Sequence, residues 1–415
     1  MTTFKKTILA ASLAVLGLAA HVAVQAAESV EVIHWWTSAG ETAAVAKFKE
    51  AAAAKGVEWK DLAVGGSDNQ RLLLKTRVGK GSPPDAAMIN ADVRAYAADR
   101  SNLANLDALS KAEKWDSVLP APVQRYAKMN GASYVAVPVN VHRQNVMWIS
   151  TDSLKKIGAT KPPQSWDEFF VMADKAKAAG MIPLAMSENV WVNFLFYQVA
   201  YSNMPADAYR KAFYDGDEAS LRSVGMVRTL QIFRKLRGYS DRAASTRKWN
   251  EATQMVMQGK AFAQVMGDWA KGEFTQAKKV PGVDYVCATV PGLNMGHQFN
   301  SDAFMFFKQA ADKPGQLALA KVFMDKKAQE EFSLLKGSVP VRMDADVSKF
   351  DACGKQSYKD FVDSGKNGNL AGAPAMFMSA GRYGALRDVV VSYWNDDDMG
   401  AAQAVDKIVA ATKAN

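Results

Sequence analysis

The 415-residue chain is poor in the residues that most catalytic and metal centres need: it has two cysteines and four histidines. Cys287 and Cys353 cannot build a zinc site by themselves, and three of the histidines, His34, His142 and His297, show no paired ligand spacing, so no metal is expected. A phosphate loop is also missing, because Gly79-Lys80 is followed by Gly81 and Leu74 stands where the first glycine belongs. No dinucleotide glycine fingerprint follows an early strand and no His-Glu-x-x-His occurs, so no cofactor is expected either. Positive charge exceeds negative, 51 Lys and Arg against 42 Asp and Glu, yet the two signs are interleaved and the tightest basic runs are pairs such as Lys155-Lys156 and Lys278-Lys279. That is a solvated basic surface rather than the clustered stripe of a nucleic-acid binder. Internal repeats, heptad arrays and Gly/Ser-rich tethers are absent.

One apolar run stands out, at the N-terminus. Lys5 and Lys6, the stretch Ile8 to Ala20 and the small-residue sequence Val24-Gln25-Ala26 follow the charge, apolar core and cleavage-site order of a secretory signal. Residues 1–26 are therefore read as a signal peptide cleaved after Ala26. The run is too short to span a bilayer comfortably, and no later segment offers about 18 to 20 uninterrupted apolar residues. With no cysteine near the cleavage point to accept a lipid, the expected destination is the periplasm, where Cys287 and Cys353 can form one disulfide.

Roughly 390 mature residues exceed what one hydrophobic core usually supports, so two domains are expected. Val30 to Trp35 reads as a strand, Gly40 to Ala54 as a helix and Val57 to Val64 as a second strand; Ala86 to Asn90, Tyr134 to Val137 and Asn145 to Ser150 continue the alternation. The pattern predicts an α/β fold of mixed, largely parallel sheets flanked by helices. A further helix start is signalled by Pro162-Pro163, a capping Ser165 and Glu168 three residues later. Short extended crossings, at Pro138 to Val141 and Pro291 to Asn300, would join the domains and suit a hinge.

Chemistry-bearing patterns are sparse. Ser153-x-x-Lys156 and Ser67-Asp68-Asn69 each match part of an acyl-enzyme signature, in the wrong order and without Lys-Thr-Gly. Glu41 and Asp302, were they to face each other, would make the carboxylate pair of a glycosidase, or else accept hydrogen bonds from sugar hydroxyls. More distinctive is His34-Trp35-Trp36-Thr37-Ser38-Ala39-Gly40-Glu41, which runs from the end of the first strand into the first helix, where open α/β sheets bind ligands. Adjacent strand residues point to opposite faces, so one of the two indoles is expected to face a cleft.

This opening resembles that of the glucose-binding and related periplasmic proteins of the bacterial extracellular solute-binding group. Further matching stretches, in the same order, are Val139 to Asn145 (VNVHRQN), Pro163 to Phe169 (PQSWDEF), Met266 to Ala270 (MGDWA), Asn300 to Phe304 (NSDAF) and Lys336 to Arg342 (KGSVPVR). The resemblance implies a two-lobed Venus-flytrap fold, with lobe 1 built from 27–138 and 295–346 and lobe 2 from 139–294 and 347–415. It further implies a monomeric, non-enzymatic receptor that captures a small carbohydrate, a monosaccharide, by hinge closure and delivers it to an inner-membrane ABC permease, with no nucleic acid involved. A secreted glycoside-processing enzyme and a sugar-sensing subunit without transport are the alternatives. Carried over position by position, Trp35, Trp36 and Glu41 resemble first-lobe ligand contacts, Trp269 the second-lobe aromatic wall, and Asp302 and Lys336 polar contacts. Glucose-binding members place a lysine soon after the strand matching Ala86 to Asn90, where this chain has Asn90-Ala91-Asp92, and a histidine in the late loop that here reads Pro374-Ala375-Met376-Phe377-Met378. Asn90, Asp92 and Met376 are thus the positions where specificity would be rewritten, and glucose itself is not implied.

Overall fold

Val30, Val32 and Ile33 lose all contact with water in the opening strand, Glu28–His34, and nearly continuous burial of this kind marks a strand covered on both faces. In the computed structural model, which describes residues 28–90, 103–129, 133–308 and 314–413, this strand lies inside a five-stranded sheet. The spatial order is Val57–Ala63, Glu28–His34, Ala86–Ile89, Ala303–Phe306 and Ala136–Pro138. The first three strands are parallel, and Ala303–Phe306 runs antiparallel to both of its neighbours. Phe304 stacks on Phe323 at 4.2 Å between ring centroids, and Phe48 on Phe332 at 4.5 Å, in the core beneath.

A second sheet, in the order Tyr285–Thr289, Val146–Ser150, Ala261–Val265 and Ile182–Leu184, is antiparallel except for its last pair. Its core gathers Phe169, Phe196 and Phe233, and the C-terminal helices Ala380–Asn395 and Ala401–Ala411 close over it through Leu386, Val390 and Ile408. The molecule thus has the two-lobed α/β architecture expected of the sequence, but its sheets are mixed rather than largely parallel: antiparallel pairings outnumber parallel ones among the described strands. The leader and Asp92 lie outside the described residues. Among the described residues no helix is long and apolar enough to cross a membrane.

Between the lobes runs a small sheet ordered Val339–Pro340, Asn140–Arg143, Gln298–Asn300 and Ala371–Gly372. Asn140–Arg143 overlaps the segment Pro138 to Val141, and Gln298–Asn300 lies within Pro291 to Asn300. A further pass, from Pro340 to Ala371, carries the helix Ala352–Lys366, which the Cys287–Cys353 disulfide fastens to the second-lobe strand Tyr285–Thr289. The lobes also touch where the first-lobe helix Ala39–Ala53 meets the second-lobe helix Ala270–Gln276. Gly40 donates its N–H to Glu273 Oε1 at 3.0 Å, and a Cβ on Gly40 would sit 2.6 Å from the carbonyl carbon of Gly272. Only glycine permits that approach.

The helix Trp166–Ala178 begins as predicted, with Ser165 Oγ accepting the Glu168 N–H at 3.1 Å. Glu168 reaches one residue further back than a closed box requires, taking the N–H of Gln164 at 2.8 Å.

Candidate ligand-binding site

A cavity of about 440 Å³ lies between the two lobes against the crossing sheet, within the size range of small-molecule sites. Its first-lobe wall starts in the turn after the opening strand. Trp36 is 1 % exposed and packs on Phe332 and Phe304 at 5.0 and 5.6 Å, whereas Trp35 is half-buried with the Arg71 guanidinium 5.6 Å from its ring. Both indoles border the cavity, Trp36 by the part of it that the core leaves uncovered.

The next residues are held by a capping box that the Ser38-x-x-Glu41 spacing encodes and that the sequence reading passed over. Ser38 Oγ accepts the Glu41 N–H at 3.3 Å, while Glu41 Oε2 accepts the N–H groups of Ser38 and Thr37, each at 3.2 Å. Oε1 of Glu41 faces Lys336 Nζ at 3.2 Å, and both side chains are almost wholly out of water. Lys336 closes the helix Lys326–Lys336, a position where a cation favours the negative end of the helix dipole. Gly337 follows with φ 91°, and a Cβ there would lie 2.2 Å from the Asp268 carbonyl oxygen. Thus Glu41 and Lys336, expected as ligand contacts, also bind one another.

Asp302 belongs to a second buried network. Its Oδ2 lies 3.1 Å from both His142 Nε2 and Asn140 Nδ2, and its N–H donates to Asn140 Oδ1 at 2.9 Å. The other ring nitrogen of His142 is hydrogen-bonded to Asp268, whose second oxygen takes the Arg143 N–H at 2.8 Å. Burial works against a charged imidazole, but the charge of Asp268 and the hydrogen bonds to both aspartates outweigh it and raise the pKa of His142. Burial would likewise push Asp302 up, yet the hydrogen bond and charge of His142, with Lys336 and Asn140, hold it below the usual carboxylate range.

The second-lobe wall is aromatic. Trp269, 8 % exposed, stands edge-on to His142 at 5.2 Å and lies 5.9 Å from Trp191, which is 6.4 Å from Trp249. Trp191 and Trp249, with Glu188, Lys248 and Asn250 beside them, were not singled out from the sequence. Each lies in the first turn of a helix, Asn189–Asn203 or Trp249–Met257, and the only local signal was an indole placed among polar residues at a helix start. Five of the ten tryptophans of the chain border this one cavity. The indole N–H groups of Trp36, Trp191 and Trp269 and the side-chain oxygen of Asn300, all from lining residues, are buried without a hydrogen-bond partner among the described residues.

Of the residues expected at the site, Trp35, Trp36, Glu41, Asn90, Trp269, Asp302 and Lys336 share the cavity. Asn90 Oδ1 is occupied by Arg71 Nη2 at 2.6 Å. Met376 departs from the expectation: it ends the short helical turn Pro374–Met376 and is buried in the apolar core beside Ala373, away from the cavity lining. The thioether is an apolar filler and packs where apolar neighbours are. Among the described residues no group of three or more His, Cys, Asp or Glu is placed to hold a metal ion.

Residues 37–330 match the sequence model described as bacterial extracellular solute-binding protein. A protein of Rhizobium meliloti (strain 1021) named probable sugar-binding periplasmic protein is 40 % identical over 416 residues, covering 99 % of each chain. Among solved structures, a chitin oligosaccharide binding protein superposes with a TM-score of 0.78 at 16 % identity, covering 93 % of this chain and 98 % of that one. The bacterial solute receptor AcbH, described as having an exclusive preference for β-D-galactopyranose, superposes with a TM-score of 0.74 at 15 % identity and the same coverage.

Proposed function

Because the chain belongs to the bacterial extracellular solute-binding protein family, we propose that it is a periplasmic receptor that captures a small carbohydrate by closing its lobes and delivers it to an ABC-type permease. The observation that carries this reading is the meeting of indoles from both lobes, with their unpaired N–H groups, around one cavity lined by Asp302, Lys336 and Asn300. A pyranose has C–H patches on its faces and hydroxyls around its rim. Indoles suit the former, and carboxylate, ammonium and amide groups the latter. The name of the Rhizobium meliloti relative supports the same ligand class.

Stacking that removes about 100 Å² of apolar sugar surface contributes roughly 2.5 kcal/mol. Three or four hydrogen bonds to charged groups add about 1.5 to 3 kcal/mol each. After association costs of several kcal/mol, a micromolar complex near −8 kcal/mol is reachable. Contacts from both lobes make the sugar favour the closed arrangement, and that difference drives closure.

A binding role also fits the carboxylates better than catalysis does. A glycosidase acid must hold a proton near neutral pH, whereas Asp302 is held ionised by His142 and Lys336. We take the lobes to comprise 27–138 with 295–346, and 139–294 with 347–415, in a monomeric protein.

The test is a thermal-shift screen of the mature protein against monosaccharides, disaccharides, polyols and sugar acids, followed by calorimetry on Trp36→Ala and Lys336→Ala. A selective ligand raises the melting temperature by mass action, and both substitutions weaken it. No shift with any carbohydrate overturns the reading. Stimulation of a reconstituted permease ATPase by the loaded protein separates transport from sensing alone.

A further inference from the structure

The crossing sheet has two faces, and only one of them looks onto the ligand cavity. Successive residues of a strand alternate sides, and along Gln298–Asn300 the residue Asn300 borders the cavity while Phe299 borders a second hollow of about 640 Å³. Both lobes wall this groove. Pro120, Pro122 and Arg125 come from around the short helix Ala121–Ala127 of the first, Arg210 and Tyr214 from the second, with Pro340 of the crossing sheet between them.

Its floor is a continuous run of rings. Tyr214 stacks on Phe377 at 4.6 Å with 30° between the planes, Phe377 lies 6.4 Å from Phe299, and Phe299 lies 6.0 Å from Phe361. Val362 and Leu370 extend the apolar surface.

The charge around this floor has one sign. Arg125, Arg210 and Lys366 contribute to the lining, and not one of the described lining residues is a carboxylate. Arg210 spends Nη1 on the carbonyl oxygens of Gly368 and Leu370, both at 2.9 Å, which orients its guanidinium over the groove's second-lobe side. Burial pushes the Tyr214 phenol up, against its hydrogen bond to Gly372 and the charges of Arg210 and Arg125. An aromatic trough of this size, with three cations and no carboxylate in its described lining, matches a ligand that is apolar along its length and anionic at one end.

We propose that this groove is a second binding site, for a free amphiphilic carboxylate that lies along the Tyr214, Phe377 and Phe299 rings with its anionic group toward Arg125 and Arg210. The reading is independent of what fills the interlobe cavity. Because the walls belong to both lobes, an occupant favours one hinge angle, and its binding is linked reciprocally to that of the cleft ligand.

Calorimetric titration of the mature, disulfide-bonded protein with octanoate, and separately with octan-1-ol, tests the proposal. Octanoate is expected to saturate one site with a dissociation constant below about 1 mM, and the alcohol to bind about tenfold more weakly for want of the charge-assisted hydrogen bond. Arg125→Glu, at an exposed position, is expected to weaken octanoate about tenfold or more. Val362→Trp, which fills the groove, is expected to abolish binding. Circular dichroism establishes that each variant is folded; should Val362→Trp not fold, Arg125→Glu and the alcohol comparison decide the matter. Absence of saturable octanoate binding, equal affinity for the alcohol, or indifference to Arg125→Glu overturns the proposal.

Discussion

Replacing Lys336 by methionine keeps the reach of the side chain and deletes its charge. In the native protein the ammonium lies 3.2 Å from Glu41 Oε1, with the two side chains only 3 % and 9 % exposed. The substitution leaves the Glu41 carboxylate buried with the N–H groups of Thr37 and Ser38 on its other oxygen. Stranding one member of a buried pair costs about 3–5 kcal/mol, whereas removing both charges together is far cheaper. Glu41→Gln retains an oxygen for the two backbone donors, so the double variant Glu41→Gln/Lys336→Met loses about 1–2 kcal/mol, less than Lys336→Met alone. Guanidinium unfolding of the ligand-free protein, single variants against double, measures the coupling: the two single losses together are expected to exceed the double loss by about 4 kcal/mol or more. Single losses that sum to the double loss within about 0.5 kcal/mol would refute the ion-pair account. In the same variants sugar affinity is expected to fall about 10- to 100-fold, the worth of one hydrogen bond to a charged donor.

The buried histidines titrate in opposite directions. His142, raised by its aspartates against the pull of burial, adds stability that is present below the ordinary histidine pKa of about 6.5 and is lost as pH rises through its higher folded value. His297, lowered well below 6.5 by burial and by the charge of Arg143, costs stability as pH falls through the unfolded value. Imidazole resonances should therefore show His142 titrating above, and His297 below, the ordinary value of about 6.5, and two ordinary titrations near 6.5 would contradict this. Beside the cavity, in a separate hollow, Asp68 on the helix Ser67–Gly79 reaches Arg387 on Ala380–Asn395 at 3.1 Å, with side chains 56 % and 36 % exposed. An exposed pair of this kind is worth up to about 1 kcal/mol, so Arg387→Ala should speed sugar release up to about fivefold in stopped-flow tryptophan fluorescence. The difference should vanish at high salt, and an unchanged rate at low salt removes the pair from any part in closure. The Cys287–Cys353 bond spans 66 residues of sequence, so its reduction should lower unfolding stability by about 4 kcal/mol on the loop-entropy model; denaturation with and without reductant measures this.

How much of this was visible in the sequence depended on how local each feature is. The opening strand, the first helix and the strand Val57–Ala63 carry their own burial pattern or composition, and the predicted boundaries fall within two residues of those observed. Strand alternation did not separate Trp35 from Trp36, because the strand ends at His34 and both indoles border the same cavity. The third pass of the chain between lobes was harder, since Val339–Pro340 and Ala371–Gly372 are two residues each and too short to show any periodicity. Glu41 was read as a ligand contact although Ser38-x-x-Glu41 is also a capping signal; its Oε2 takes the cap N–H groups while its Oε1 faces Lys336 in the cavity lining. Met376 illustrates the opposite error: matching a loop by its position in a family says nothing of which side chain in it turns inward.

Trp191 and Trp249 were illegible for a different reason. Trp35, Trp36 and Glu41 sit at one sheet edge and can be grouped by counting along the chain, but the second-lobe wall acquires meaning only when the crossing sheet brings another lobe opposite it. What those residues share is a deficit rather than a motif. An indole N–H or amide oxygen buried without a partner costs about 1–3 kcal/mol, and Trp36, Trp191, Trp269 and Asn300 each carry one such atom around the cavity. A fold retains such deficits where something else relieves them. On the proposed reading, a ligand ringed with hydroxyls would relieve several at once, and only with both walls within reach, so the unpaired groups would convert ligand contact into a preference for the closed lobes.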